Sequence, residues 1–254
     1  CMNILEKILN VKRQEIQQIK DLEFGELAIQ NRSLKDALSK PGISVIAEIK
    51  MKSPSEGEIF PNADPAQIAK GYESAGAAAI SVLTDQSFFG GSLDILQSVR
   101  NAVSIPVIRK DFIIDQKQIS ETIHYNGDAF LLIADALDQD SLHQLMNIGK
   151  GTGLEFLVEY HAEKHAEFIF ALNPEIVGIN CRNLKTMSTD ITYFEKMISS
   201  LPSNSVKVAE SGIHTSDDLE YVSDLGYDAA LIGTSLMKTG HPEKALETLL
   251  GELS

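Results

Sequence analysis

Between residues 3 and 20 the apolar side chains recur every three or four positions. Ile4, Leu5, Ile8, Leu9, Val11, Ile16 and Ile19 carry the stripe, with Lys, Arg, Glu and Gln between them, which predicts an amphipathic helix. A shorter helical piece is predicted over 33–39, ahead of Pro41-Gly42. The pattern then changes to short, nearly continuous apolar runs at 44–50, 78–83, 107–109, 129–133, 156–158, 176–179, 207–209 and 229–232. Stretches of helical period separate them, at 65–74, 92–101, 116–125, 140–150, 162–171, 191–200 and 216–225, with a last one after Pro242. Strands apolar along their whole length are covered on both faces, as parallel strands are. Strict alternation over one span of this length predicts an α/β fold, a single (β/α)8 TIM barrel over 1–254 in which about 1–42 is an N-terminal helical extension. The alternative is an open doubly wound sheet. That fold calls for Gly-x-Gly-x-x-Gly straight after the first strand, where the chain has Met51-Lys52-Ser53-Pro54-Ser55-Glu56-Gly57.

Composition narrows the partners. Asp and Glu number 36 against 22 Lys and Arg, a formal charge of −14 over 254 residues. That balance argues against nucleic acid and against an anionic membrane surface, while a local cationic pocket still suits an anionic small molecule. No apolar run reaches the roughly 18 residues of a membrane span, and no signal core opens the chain, so a cytoplasmic protein is expected. Cys1 and Cys181 are the only cysteines, which points to a reducing compartment and no disulfide. No His/Cys spacing suits zinc, and no metal is expected.

In a barrel the ligand site lies at the C-terminal ends of the strands. Polar groups gather there. The first strand exits through Glu48, Lys50 and Ser53, the third through Arg109-Lys110-Asp111-Phe112, and the fifth through Glu159-Tyr160-His161. The sixth exits through Asn180-Cys181-Arg182-Asn183, the seventh through Glu210-Ser211-Gly212, and the eighth through Gly233-Thr234-Ser235. Glu48 and Lys50 lie two apart and share a face, either as site residues or as an ion pair that closes the barrel. Lys110 is a candidate general acid, its pKa lowered by nearby cations and desolvation, or else a surface lysine. Glu159 is a candidate general base, or the partner of a rim lysine. Asn180 either orients a substrate hydroxyl or caps a turn, and Arg182 either clamps a carboxylate or phosphate or sits in a solvated loop. His161 reads as the cap of the next helix and Cys181 as a small apolar filler. The turns Ser211-Gly212 and Gly233-Thr234 follow adjacent strands and precede helices, an arrangement that cradles phosphate.

Taken together these strings closely resemble indole-3-glycerol phosphate synthases. The match runs through Ala47-Glu48-Ile49-Lys50 with Ser53-Pro54-Ser55, Ser81-Val82-Leu83-Thr84-Asp85, and Arg109-Lys110-Asp111-Phe112-Ile113-Ile114-Asp115. It continues through Leu157-Val158-Glu159, Gly178-Ile179-Asn180-Cys181-Arg182-Asn183-Leu184, Glu210-Ser211-Gly212-Ile213 and Leu231-Ile232-Gly233-Thr234-Ser235. The resemblance implies a lyase without cofactor or metal, a monomer or weak homodimer acting on a small phosphorylated substrate. It makes Lys110 the general acid of ring closure and Glu159 the second acid–base residue. Glu48 and Asn180 then position hydroxyls and leaving group, and Lys50 supports dehydration. Arg182 and Ser53 meet the carboxylate side of the substrate, while Phe89, Phe112, Leu131 and Leu184 wall its aromatic ring. Ser211, Gly212, Gly233 and Thr234 hold the phosphate, and the N-terminal helix covers the mouth. Met51 departs from the family's usual basic residue. Two other readings compete: a phosphoribosyl isomerase on the same barrel, which needs an Asp/Cys pair that the chain does not carry, and a binding protein that has lost turnover.

Overall fold

A strand that is apolar along its whole length has two faces to bury, and the chain buries them in two separate cores. The computed structural model describes residues 2–19, 31–183 and 186–253. Eight parallel strands close into a barrel: β1 (Ser44–Ile49), β2 (Ala79–Leu83), β3 (Val107–Lys110), β4 (Ala129–Ile133), β5 (Glu155–Tyr160), β6 (Ile176–Asn180), β7 (Val206–Glu210) and β8 (Ala229–Ile232). Each pairs with its neighbour in sequence, and β8 pairs with β1. Val45, Ala47 and Ile49 of β1, Phe130 and Leu132 of β4, and Val177 and Ile179 of β6 belong to the core shared with the surrounding helices. The alternate positions, Ile46, Ile108, Leu131, Leu157, Val208 and Leu231, belong to the second core, inside the barrel.

The outer layer holds Pro65–Ser74, Leu93–Ala102, Gln116–His124, Gln139–Thr152, Ala166–Leu172, Tyr193–Met197, Ser216–Asp224 and Pro242–Gly251. Side chains of Asp64, Ser92, Asp115, Asp138 and Thr215 accept first-turn amides and fix where five of these helices begin. The 162–171 stretch starts its α-helix late. Asp135 accepts the amides of His161 and Ala162 and holds the chain, a single 3₁₀ turn follows at Glu163–His165, and the α-helix runs only Ala166–Leu172. A hairpin of Lys52–Ser53 with Gly57–Glu58, and short helices Gln86–Phe89 and Thr234–Met237, are too brief to leave a periodic signal.

The N-terminal extension serves both ends of the barrel. Helix Ile4–Ile16 starts at an Asn3 capping box and puts Ile8 and Leu9 into the interior core at the mouth. It stops at Ile16, short of the predicted end, where Gln18 and Ile19 donate back to Glu15 and Ile16 in a tighter turn. Helix Leu34–Leu38 stoppers the opposite end, with Leu34 and Leu38 wholly buried. Polar contacts seat it. The Arg32 amide donates to Asp128 at 2.9 Å, and Glu155 accepts from Ser33 Oγ at 2.8 Å and the Lys35 amide at 2.9 Å. Asp128 also accepts from the Val107 amide at 2.9 Å and Arg100 Nε at 2.8 Å.

Candidate active site

Strand parity selects which side chains meet inside the mouth. Interior positions on β1, β3, β5, β6 and β7 end in Glu48, Lys110, Glu159, Asn180 and Glu210. Glu48, Glu159 and Glu210 are 5%, 3% and 1% exposed, so three carboxyls are buried at one end of one barrel. Ionised carboxylates are costly there without partners, and the partners are present. Lys110 Nζ donates to Glu159 Oε2 at 2.6 Å and to Glu210 Oε2 at 2.9 Å. Asn180 Nδ2 donates to the other Glu159 oxygen at 2.8 Å. Lys50 lies 2.8 Å from Glu48 Oε1.

The space for two of these carboxyls exists because neighbouring strands carry glycine. A Cβ on Gly178 would stand 2.2 Å from Glu210 Oε1, and one on Gly233 would stand 2.6 Å from Glu48 Oε1. Neither collision has a cheap remedy inside a packed barrel.

The protonation pattern reverses one expectation from sequence. Lys110 does not have a lowered pKa. Burial alone pushes its ammonium down, but Glu159, Glu210 and Glu48 outweigh burial and hold it above its ordinary value. Burial also pushes Glu159 up, yet Lys110 and Asn180 pull it below the usual carboxylate range. Glu210 goes the other way, raised by burial and by the charge of Glu159, and its Oε1 has no hydrogen-bond partner among the described residues. One ammonium thus faces two carboxyls whose affinities for a proton are pushed apart, Glu159 downward and Glu210 upward.

Around this group the cavity encloses about 1030 Å³, counted out to its mouth. Every predicted site residue that is described lines it: Glu48, Lys50, Ser53, Phe89, Lys110, Phe112, Leu131, Glu159, Asn180, Arg182, Ser211, Gly212, Gly233 and Thr234. Leu184 lies outside the described residues. Phe89 and Phe112 form a tilted pair with centroids 6.2 Å apart, and Leu131 is buried beneath. Arg182 Nη1 donates to the Met187 carbonyl at 3.0 Å, and its amide donates to Asn180 Oδ1, so Asn180 caps the turn with its oxygen while its amide nitrogen faces Glu159. Ser53 Oγ accepts the Glu56 amide at 3.2 Å, which seats it in the hairpin beyond β1.

At the opposite wall Ser211 and Gly212 both have φ near +71°, a costly conformation for the serine. Successive residues of this kind turn amide hydrogens toward one concavity. The amides of Gly212, Gly233 and Thr234 donate to no other group among the described residues.

Glu210 is the site residue that sequence reading left without a role. Its parity with Val206 and Val208, and its pairing opposite Asn180, were the available signals. His161 corrects a second expectation. It caps no helix; its Nδ1–H donates to the Asn180 carbonyl at 2.8 Å and its ring stacks on Tyr193. Cys181 is buried as expected, and burial pushes its thiol up to about 11.

Comparison with known proteins agrees over the full barrel. The family model described as indole-3-glycerol phosphate synthase matches residues 5–249. An indole-3-glycerol phosphate synthase of Halalkalibacterium halodurans is 43% identical over 98% of this chain and 97% of its own length. The one from a Geobacillus species is 45% identical over 98% of both. The Mycolicibacterium gilvum protein of the same name is 46% identical over 84% of this chain and 79% of its own. Among solved structures, thiamine phosphate pyrophosphorylase from Pyrococcus furiosus superposes with a TM-score of 0.62 at 13% identity, over 86% of this chain and 96% of that one, a likeness of fold alone.

Proposed function

The chain belongs to the indole-3-glycerol phosphate synthase family, and on that premise we propose how its residues divide the reaction. The enzyme is a carboxy-lyase of tryptophan biosynthesis. It converts 1-(2-carboxyphenylamino)-1-deoxyribulose 5-phosphate to indole-3-glycerol phosphate, CO₂ and water.

The ring carbon bearing the carboxylate attacks the substrate carbonyl, and the carbonyl oxygen takes a proton as the new C–C bond forms. Lys110 supplies that proton. A charged ammonium fixed between two carboxyls is a donor already aimed and dehydrated, so no reorganisation is needed when charge develops on oxygen. CO₂ then leaves and its electron pair restores the aromatic ring. The hydroxyl made in the first step departs as water while a proton leaves the adjacent CH₂. Glu159, ionised and held by Asn180, accepts or returns protons here. Glu48 and Lys50 work as a pair on the departing hydroxyl, and Asn180 also orients the sugar hydroxyls.

Binding groups surround this centre. Phe89, Phe112, Leu131 and Leu184 pack on the ring, Arg182 and Ser53 meet its carboxylate, and the amides near Ser211, Gly212, Gly233 and Thr234 take the phosphate. Lys50, Lys110 and Arg182 line the mouth and offer an anionic substrate its cationic partners.

The Lys110–Glu159–Glu210 group carries the assignment. Steady-state kinetics on Lys110→Met tests it. Turnover should fall roughly 10²-fold or more, the scale of a lost general acid, while substrate still binds through its phosphate. Near-normal turnover would move the acid to Lys50.

A further inference from the structure

Lys12 is a lysine in an unusual place. It sits on the surface-lying helix Ile4–Ile16, yet is only 4% exposed. Its ammonium lies 2.7 Å from Glu15, 3.0 Å from Asp85 and 3.0 Å from Asp111. Burial pushes its pKa down, but Asp111 and Asp85 outweigh burial and hold it above its ordinary value. Asp85 follows β2 and Asp111 follows β3, so one ammonium on the covering helix grips two loops of the mouth.

Each carboxylate has a second task. Asp85 Oδ1 accepts the Phe88 amide at 2.7 Å and caps helix Gln86–Phe89, the turn that presents Phe89. Asp111 Oδ1 accepts the Phe112 amide at 2.8 Å, and its other oxygen takes Thr84 at 2.6 Å and Arg109 at 3.1 Å. The backbones of Phe89 and Phe112 are therefore referenced to the same cation. Apolar contact backs this up, since Ile8 and Leu9 of the helix belong to the core that includes Phe112, with Phe88 and Phe89 packed against it.

We infer that Lys12 is a positioning residue for the reaction: through Asp85 and Asp111 it sets the separation of Phe89 and Phe112, and so the fit of the aromatic half of the substrate. Among the described residues its ion pairs go to Glu15, Asp85 and Asp111, none of them in the phosphate cradle. The inference rests on reading Phe89 and Phe112 as the wall for the ring.

Two ligands separate ring binding from phosphate binding: the substrate with its carbonyl reduced to an alcohol, and ribitol 5-phosphate, which has no ring. Calorimetric titration of Lys12→Gln should show the ring-bearing ligand weakened roughly three- to tenfold, the scale of one aromatic contact, with ribitol 5-phosphate within about twofold of the unaltered protein. Lys12→Arg keeps a cation able to span both carboxylates and should restore most of the selectivity. Asp85→Asn keeps the helix cap but removes the charge Lys12 grips, and should give the same selective loss at smaller size, which decides the matter if Lys12→Gln does not fold. Equal loss for both ligands, or no loss for either, overturns the inference. Phe112→Ala distinguishes the two levels. Selective loss there without any in Lys12→Gln or Asp85→Asn overturns the role of Lys12 and leaves the wall standing, whereas no selective loss in Phe112→Ala overturns the wall and Lys12's role with it.

Discussion

The two ends of the barrel both bury charge, and they use it differently. At the floor, Asp128 is committed to the Arg32 and Val107 amides and to the Arg100 guanidinium, and Glu155 is committed to Ser33 and the Lys35 amide. Backbone supplies much of that bonding, so those carboxylates are consumed in holding the chain together. At the mouth, among the described residues, Lys110 and Glu210 bond through their side chains only to other side chains, and Glu159 likewise. Such a network holds no strand or turn in place, so its bonds are free to be exchanged for bonds to a substrate. Buried charge tied to backbone is architecture, and buried charge tied only to other side chains is available for chemistry.

Changing one buried carboxylate at each end tests that division most severely. Glu159→Gln should cut turnover by about 10²- to 10⁴-fold with an altered pH profile, while thermal unfolding stays close to the parent. Asp128→Ala should do the opposite, losing about 3–5 kcal/mol in denaturant titration because the buried Arg100 guanidinium and the Arg32 and Val107 amides lose the acceptor they share, with turnover intact wherever the protein is folded. If Asp128→Ala damages turnover more than stability, the contrast fails.

Leu38→Ala probes the floor without touching charge. Its side chain is fully buried, so the change should cost about 2–5 kcal/mol of stability and leave kcat unaltered.

A subtler case lies at the mouth itself. Asp111 adjoins Lys110 yet bonds to the Phe112 amide, Arg109 and Lys12, so it belongs with the floor residues in kind. Burial raises its pKa, but Arg109 and Lys12 outweigh burial and bring it from 3.8 down to about 2. A carboxyl depressed on folding stabilises above its unfolded pKa and loses that stabilisation as pH falls through the folded value. Stability should therefore drop by about 2 kcal/mol between roughly pH 4 and pH 2, and Asp111→Asn should flatten that part of the curve.

Arg182→Ala should have the smallest effect. KM rises about tenfold, the worth of one charge-assisted hydrogen bond, while kcat stays within a few-fold. A large kcat loss would move Arg182 from binding into the proton-handling group.

The sequence made the repeating unit plain because eight apolar runs and their helices carry strong local periods. β4 and β8 begin and end where the pattern predicts, while β5 extends from 155 to 160 because polar Glu155 and Glu159 interrupt the apolar signal. Most of the mouth was legible for the same reason: the strands end where the motifs sit. Three things were not. The direction of the Lys110 shift is set by Glu159 first and Glu210 next, which reach it from 49 and 100 residues away. The hairpin at 52–58 has strands of two residues, too short for any period. The burial of Lys12 is set by loops after β2 and β3, and nothing local distinguishes it from the other lysines of an amphipathic helix.

The floor stopper has one more consequence, in the order of events during synthesis. Arg32 bonds to a residue 96 positions later and Ser33 to one 122 positions later. A growing chain makes Leu34 and Leu38 first and reaches β1 and β2, against which their helix packs, soon afterwards, but the polar seats at Asp128 and Glu155 emerge only with β4 and β5. Contacts this distant in sequence are slow to close and form late. The segment around Leu34–Leu38 is thus translated early but fully seated late, and until β5 emerges its apolar side chains are held without the polar contacts that fix them, a state open to a holdase chaperone.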